Sequence, residues 1–249
     1  MIAGFRKRRF RRFGGVCGAA AAVCCGGCAS KPIEPIRIEN VSLGPMTIAV
    51  APALNVSGSP DLDPNRVADL MASELSHADG IDVIPVSRVL SVLADQGLEG
   101  VKSSSHALEI AGLLGADAVL VFAVTEYDPY DPPVVGITAQ LFGRRRDAWR
   151  SGLDPVTESR SAAPGLTGRG SSALGLLAEC ARVYDASHEW VCAEVRRFAE
   201  SRSPENRPLG WRKYVVSQQH YLRFCCYATI RSLIGGQGGE AAETKETTG

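Results

Sequence analysis

Along residues 46–142 the apolar positions switch repeatedly between the period of a strand and that of a helix. Residues 47–51 (TIAVA) form a short apolar run suited to a buried strand, and the turn-rich NVSGSPDLD follows shortly after. Asp63 is placed to cap a helix whose first position is Pro64. Val67, Leu70, Met71, Leu75 and Ala78 then recur at helical spacing until Gly80 closes it. Residues 81–86 predict a second strand. Ser87 would cap a short helix burying Val89, Leu90 and Leu93, with Gly97 as its stop, and a third helix over residues 104–114 ends at Gly115. Residues 118–124 (AVLVFAV) are apolar throughout and predict a central strand covered on both faces. Val135, Ile137, Ala139 and Leu141 alternate with Gly136, Thr138 and Gln140, as in a half-buried antiparallel strand. Strands alternating with helices imply parallel neighbours joined by right-handed crossovers. The expected fold class is α/β, a three-layer-like mixed sheet with flanking helices.

Beyond this unit the pattern changes. Residues 143–172 are rich in Arg, Gly, Ser and Pro with little apolar period, so they read as a surface loop. Arg144, Arg145 and Arg146 read as a solvated charge run, with contact to acidic lipid as the alternative. Leu174, Leu177, Ala181, Tyr184, His188, Val191, Val195 and Phe198 follow spacings of three and four, the seam of a packed helix. Asp185 or Ser187 would break that seam into two helices by capping a second one. Residues 211–234 predict a last helix with Trp211, Val215, Leu222, Cys225, Thr229 and Leu233 on one face. Residues 173–234 are thus expected as a C-terminal helical extension packed on the sheet, and 235–249 (GGQGGEAAETKETTG) as a disordered tail.

The N-terminus has its own order. The basic FRKRRFRRF runs into GGVCGAAAAVCCGG, a weakly apolar stretch of small residues, and then into Cys28. These are the n-region and h-region of a secretory signal, and the apolar part falls short of the roughly 20 residues that cross a hydrocarbon core. The stretch Val23-Cys24-Cys25-Gly26-Gly27-Cys28 resembles the lipobox of bacterial lipoproteins, with Cys25 where that motif usually has Leu. The resemblance implies a signal peptide over residues 1–27, removal before Cys28, and lipid attachment on Cys28. Residues 28–45, with Pro32, Pro35, Gly44 and Pro45, then read as a tether. A metal site built from Cys17, Cys24, Cys25 and Cys28, or an unprocessed basic tail, is the alternative; structural zinc wants a second ligand pair some 12 to 20 residues on, and none follows. Arg8-Arg9 and Arg11-Arg12 leave the twin-arginine export route open beside the general one.

Charge narrows the class of partner. The formal net charge of zero hides six basic residues before position 28, which leaves 21 basic against 27 acidic groups from there onward. A mildly acidic body argues against nucleic acid, whose binding rests on Lys and Arg neutralising phosphates. Asn55-Val56-Ser57-Gly58-Ser59-Pro60 sits where a dinucleotide fold would cradle phosphate, but it has one glycine where the fingerprint needs three, and no Gly-Lys-Ser/Thr ending. No nucleotide, other cofactor or metal is expected.

Residues 48–52 leading into the Ser57-Gly58-Ser59 loop, and Leu113-Leu114-Gly115-Ala116-Asp117-Ala118-Val119-Leu120, make the unit similar to the N-terminal domain of the TolB translocation protein and to the curli-secretion lipoprotein. That resemblance implies work in envelope assembly, secretion or scaffolding, generally without catalysis. His77, His106, His188 and His220 show no H-E-x-x-H spacing. His77 suits a helix C-terminus, and His188 on the apolar seam reads as a satisfied core histidine. Cys225 and Cys226 point about 100° apart on a helix, so at most one should face the core. Cys180 and Cys192, if on one helix, lie ~18 Å apart and cannot bond. Buried free thiols are expected, with pairing between the two C-terminal helices as the alternative.

Trp190, Tyr214 and Tyr221 fall off the helical seams and are the candidate partner contacts, since exposed aromatic anchors commonly carry binding energy. The reading is a periplasm-facing lipoprotein, expected on the outer membrane, held to lipid through acylated Cys28. Its body would bind or assemble with an envelope protein or a second copy, without catalysis. The alternative is an envelope hydrolase or redox enzyme whose site is assembled from scattered residues.

Overall fold

The computed structural model describes residues 37–144, 174–202 and 209–235, all within one compact unit, Ile33–Gly249. Six strands form one mixed sheet: β1 (Met46–Val50), β2 (Leu54–Asn55), β3 (Ile81–Ile84), β4 (Ala118–Asp128), β5 (Val134–Arg144) and β6 (Leu174–Asp185). Their order is β3-β1-β4-β5-β6, with β2 added to β4. β1 is parallel to β3 and β4, whereas β4, β5 and β6 are antiparallel neighbours. The helices are α1 (Pro64–Leu75), α2 (Val86–Asp95), α3 (Ser104–Leu114), α4 (Glu189–Arg202), the short α5 (Lys213–Val216) and α6 (Gln218–Ile234).

Local signals placed the α/β part. Asp63 caps α1 by accepting from the backbone N–H of Asn65 and Arg66 at 3.0 and 3.2 Å, and Pro64 opens the helix. Gly115 ends α3 in the left-handed region at φ 66°. β4 is the covered central strand, and Val135, Ile137, Ala139 and Leu141 of β5 all point into the core. One core lies between the sheet and α1, α4 and α6; a smaller one joins Ala49, Ala51 and Val119 to α2 and α3 on the opposite face. Each Val, Leu, Ile, Met or Phe so buried contributes roughly 1.5–3 kcal/mol.

Four expectations are corrected. Leu174–Asp185 is not helical: it is β6, paired to β5 along its whole length, with Cys180 and Tyr184 facing in and Leu176 and Val183 exposed. The spacing of three and four was coincidental, and a free β5 edge overrides weak local propensity. The last helix is not continuous from 211: Gly210–Arg212 is a 3-10 turn, and Ser217, at φ −99° and ψ 114°, breaks α5 from α6. The second strand ends at Ile84, and Pro85 rather than Ser87 precedes the helix, its φ of −67° leading into Val86.

The fourth correction concerns the tether, whose C-terminal part is docked. Ile38 is buried, its N–H donates to His77 O at 3.0 Å, its carbonyl accepts from Asp79 N at 3.0 Å, and Ser42 Oγ donates to Ile234 O at 2.8 Å. Gly143 and Arg144, expected to begin the surface loop, belong to β5. The rest of that loop, the far C-terminal tail and Cys28 with its signal lie outside the described residues.

Candidate functional site

α4 begins just after a turn in which Asp185 Oδ1 accepts from Ser187 N at 2.8 Å, so the chain leaves β6 and reverses over the sheet. Val191, Val195, Phe198 and Ala199 bury one face of the helix. A different row, Trp190, Glu194, Arg197 and Ser201, follows spacings of four, three and four along its side. α6 runs antiparallel beside it: Arg231, late in α6, pairs with Glu194, early in α4, whereas Arg223 and Arg202 meet at the other end.

That other end is tied by Glu74 of α1, which is 0% exposed. Its Oε1 accepts from Arg202 Nη1 at 3.0 Å and Arg223 Nε at 2.7 Å, and its Oε2 accepts from Arg202 Nη2. Arg223 Nη2 also donates to Ser73 Oγ at 3.2 Å. Burial of a carboxylate is tolerated because two guanidinium groups meet it with directed hydrogen bonds.

Between α4 and α6 lies a pocket of about 190 Å³, open to solvent. Phe198, Phe224 and Tyr227 give it an aromatic wall, with the Phe198 and Tyr227 ring centroids 4.7 Å apart. Glu194, Arg197, Ser201 and Arg231 supply its polar rim. Arg231 Nη2 donates to Glu194 Oε1, and its guanidinium stands 5.9 Å from the Tyr227 centroid. Glu194 is 11% exposed, and its Oε2 is buried without a hydrogen-bond partner. The pocket therefore joins an apolar wall to a charged and polar rim.

Of the three candidate contact aromatics, only Trp190 is exposed, at 42%. Tyr214 (6%) and Tyr221 (1%) are buried, which overturns their expected exposure. Tyr214 packs edge-on against Phe198, centroids 5.4 Å apart, and Tyr221 donates to Tyr184 O at 3.0 Å. The cause is that α6 packs against both α1 and the sheet, so most of its circumference is buried and its partly exposed side is the row Arg223, Tyr227 and Arg231, which Tyr221 does not share. Glu194, Arg197 and Ser201 were missed because the sequence reading followed the apolar seam of α4. Their spacing from Trp190 was the available signal.

The histidines offer no relay. Asp185 Oδ2 and Ser187 Oγ both approach Nδ1 of His188, at 3.8 and 3.2 Å. A hydrolytic triad needs the acid on one ring nitrogen and the nucleophile on the other. His188 is also exposed, not a core residue as expected, because the seam it was assigned to changes from strand to helix beside it. Ser217 Oγ lies 2.8 Å from Nδ1 of His220, whose ring stands edge-on to Tyr214; among the described residues no carboxylate hydrogen-bonds this imidazole. His77 Nδ1 meets Ser73 O at 2.7 Å at the end of α1, as its position suggested, and His106 braces Gln96 to the Lys102 backbone.

Cys180, Cys192, Cys225 and Cys226 are free thiols. Contrary to expectation, Cys225 and Cys226 are both fully buried, again because α6 is covered on two sides. Burial pushes both thiols well above their ordinary value, the neighbouring thiol adding to the shift at Cys225 and Glu74 at Cys226. In the 55–60 loop Asn55 Oδ1 accepts from Ser57 N and Ser57 Oγ, so the loop closes on itself, while Asp63 already occupies the N-terminal donors of α1. Among the described residues no group of three or more His, Cys, Asp or Glu side chains is placed to hold a metal, and no helix is long and apolar enough to cross a membrane.

No family model matches the chain, and no curated protein does. Among solved structures it is similar to the LpoB C-terminal domain from Salmonella enterica, at 13% identity over 59% of this chain and 87% of that one, TM-score 0.39. It is also similar to lipoprotein GNA1162 from Neisseria meningitidis, at 22% identity over 64% and 100%, TM-score 0.39. The hypothetical protein CT253 from Chlamydia trachomatis overlaps at 13% identity over 77% and 98%, TM-score 0.38. All three are distant, partial likenesses.

Proposed function

We propose that the chain is a lipid-anchored protein of the bacterial cell envelope whose folded body binds or assembles with other proteins and carries out no catalysis. The observation that carries the anchor is the order of the N-terminus: a basic segment, a stretch of small apolar residues, then Gly26-Gly27-Cys28. Acylated Cys28 would hold the body to the periplasmic side of a membrane, with the outer membrane as the proposed one. Residues 28–36 would bridge the anchor to Ile38, where the chain meets the body.

The binding role is supported by the side of α4 that carries Trp190, exposed one turn before the pocket rim at Glu194. An exposed indole beside a partly apolar pocket is the kind of feature that concentrates binding energy. A hydrolase is disfavoured by the geometry at His188, where acid and hydroxyl compete for one nitrogen.

The test is in two arms. Cys28→Ser should abolish metabolic lipid labelling and leave the precursor uncut; labelling that persists refutes the anchor. Trp190→Ala should change the set of proteins crosslinked to the chain in cells, and an unchanged set refutes this side of α4 as the contact.

A further inference from the structure

Residues 209–216 (LGWRKYVV) present two different sides. Trp211, Tyr214 and Val215 pack onto the main core, whereas Leu209 and Val216 are 59% and 66% exposed and Arg212 is exposed with them. Leu209, Arg212, Lys213 and Val216 recur at the spacing of one helical face, so two apolar side chains bracket two cations there. Single exposed apolar residues are ordinary, but this composition is that of a segment lying at a membrane surface. Trp211, half-buried beneath it, holds two guanidinium groups near its ring, Arg196 at 4.8 Å and Arg212 at 5.5 Å from the centroid.

The charge around the segment has the sign an anionic surface requires. Residues 189–202 and 209–235 together hold seven Lys and Arg against three Glu, on a body whose residues from 28 onward are acidic overall. Of those three carboxylates Glu194 is already paired with Arg231, and Glu200 is exposed one turn on from Arg196.

The tether brings this side of the body to the bilayer. Ile38, where the tether docks, donates to His77 O; His77 Nδ1 meets Ser73 O at 2.7 Å; and Ser73 Oγ accepts from Arg223 of α6. Arg223 lies six residues beyond Ser217, where the segment ends, or about 9 Å along the helix axis. Residues 28–36 span at most about 30 Å when fully extended. An anchor at Cys28 therefore leaves residues 209–216 within reach of the lipid surface.

We propose that Leu209 and Val216 dip into the membrane that holds Cys28 while Arg196, Arg212 and Lys213 contact its anionic phospholipid headgroups, so that the body lies on the bilayer in one orientation. This rests on the reading of the chain as lipid-anchored and adds which side of the body meets the lipid.

The experiment uses the acylated chain in its native membrane and the same protein reconstituted in vesicles, with a photo-crosslinking phenylalanine analogue at Leu209 or at Leu113. Leu113 is 61% exposed on α3, across the sheet, and is the reference position. In phosphatidylglycerol-containing vesicles the yield of phospholipid adducts at Leu209 should exceed that at Leu113 by about tenfold. Arg212→Glu combined with Lys213→Glu should remove most of that excess. So should neutral phosphatidylcholine vesicles, or about 1 M salt acting on the otherwise unaltered protein, where the screening length falls to roughly 3 Å. Equal lipid yields at the two positions, a Leu209 yield indifferent to salt, to headgroup charge and to charge reversal, or Leu209 adducts to protein alone each overturn the proposal. Lipid labelling at Cys28 reports the anchor separately: a labelled chain without Leu209 lipid adducts loses the docking and keeps the anchored binding module.

Discussion

The hydroxyl of Tyr221 donates to the main-chain carbonyl of Tyr184 at 3.0 Å, tying the first turn of α6 to the edge strand β6. Tyr184 returns the link through its own hydroxyl, 3.0 Å from Thr229 Oγ1. Both phenols are driven well above their ordinary pKa, first by burial. Tyr221→Phe removes one buried hydrogen bond and should cost about 0.5–1.5 kcal/mol. Tyr221→Ala adds a cavity and should cost about 3–5 kcal/mol. Trp190→Ala, at an exposed site, should stay within about 0.5 kcal/mol. Urea denaturation measures all three, and a near-neutral Tyr221→Ala would contradict the buried placement.

Where the sequence carried a local instruction, the element was legible. Asp63 and Pro64 start α1, Gly115 ends α3, and strict alternation marks β5, because caps and period-two burial act within a few residues. β6 was not legible. Its inward residues, Cys180 and Tyr184, are separated by the helical interval of four, and only the distant β5 edge makes the segment a strand. α6 hid its faces for a related reason: packed against both sheet and α1, it buries Tyr221, Cys225 and Cys226 together and leaves the narrow row Arg223, Tyr227 and Arg231 as its partly exposed side. The site was half legible. Trp190 stood out as an aromatic off the seam, but Glu194 and Arg231 lie 37 residues apart in the sequence and meet only because α6 packs beside α4.

Glu74 is the fully buried member of an ion triad reaching from α1 to α4 and α6. Glu74→Ala strips two guanidinium groups of their acceptor, and about 3–5 kcal/mol of stability should be lost. Arg223→Ala should cost less, since Arg223 is 38% exposed and Arg202 still meets the carboxylate. Chemical denaturation of the two variants side by side checks the order, and equal losses would refute it.

Two glycine-to-alanine substitutions should act with opposite sign. At Gly143 a Cβ would fall 2.5 Å from Ala118 Cβ and 2.7 Å from Asp117 O, so β4 and β5 would have to separate, at a cost of about 1–3 kcal/mol. At Gly112, exposed within α3, nothing lies within 4 Å of a new Cβ. Alanine there should stabilise by about 0.4–1 kcal/mol through helix propensity and a less flexible unfolded chain. Thermal melts of both variants report the signs.

His220 should make the fold sensitive to mild acid. Partial burial lowers its pKa from the ordinary 6.5, and the positive charges of Lys213 and Arg223 lower it further. Ser217 and the Tyr214 ring are its other neighbours, and neither carries a negative charge at neutral pH. The folded state therefore prefers the neutral ring. The unfolded chain, titrating near 6.5, binds the proton first as pH falls, so stability is full above that value and declines on acidification until the folded ring titrates too. The slope attributable to one group is at most about 1.4 kcal/mol per pH unit. His220→Gln removes it while leaving the carboxylates and other histidines unchanged. Urea midpoints at pH 7.5 and pH 5.5 should therefore differ more for the native chain than for His220→Gln, and parallel pH dependence in the two proteins would show that His220 titrates alike in the folded and unfolded states.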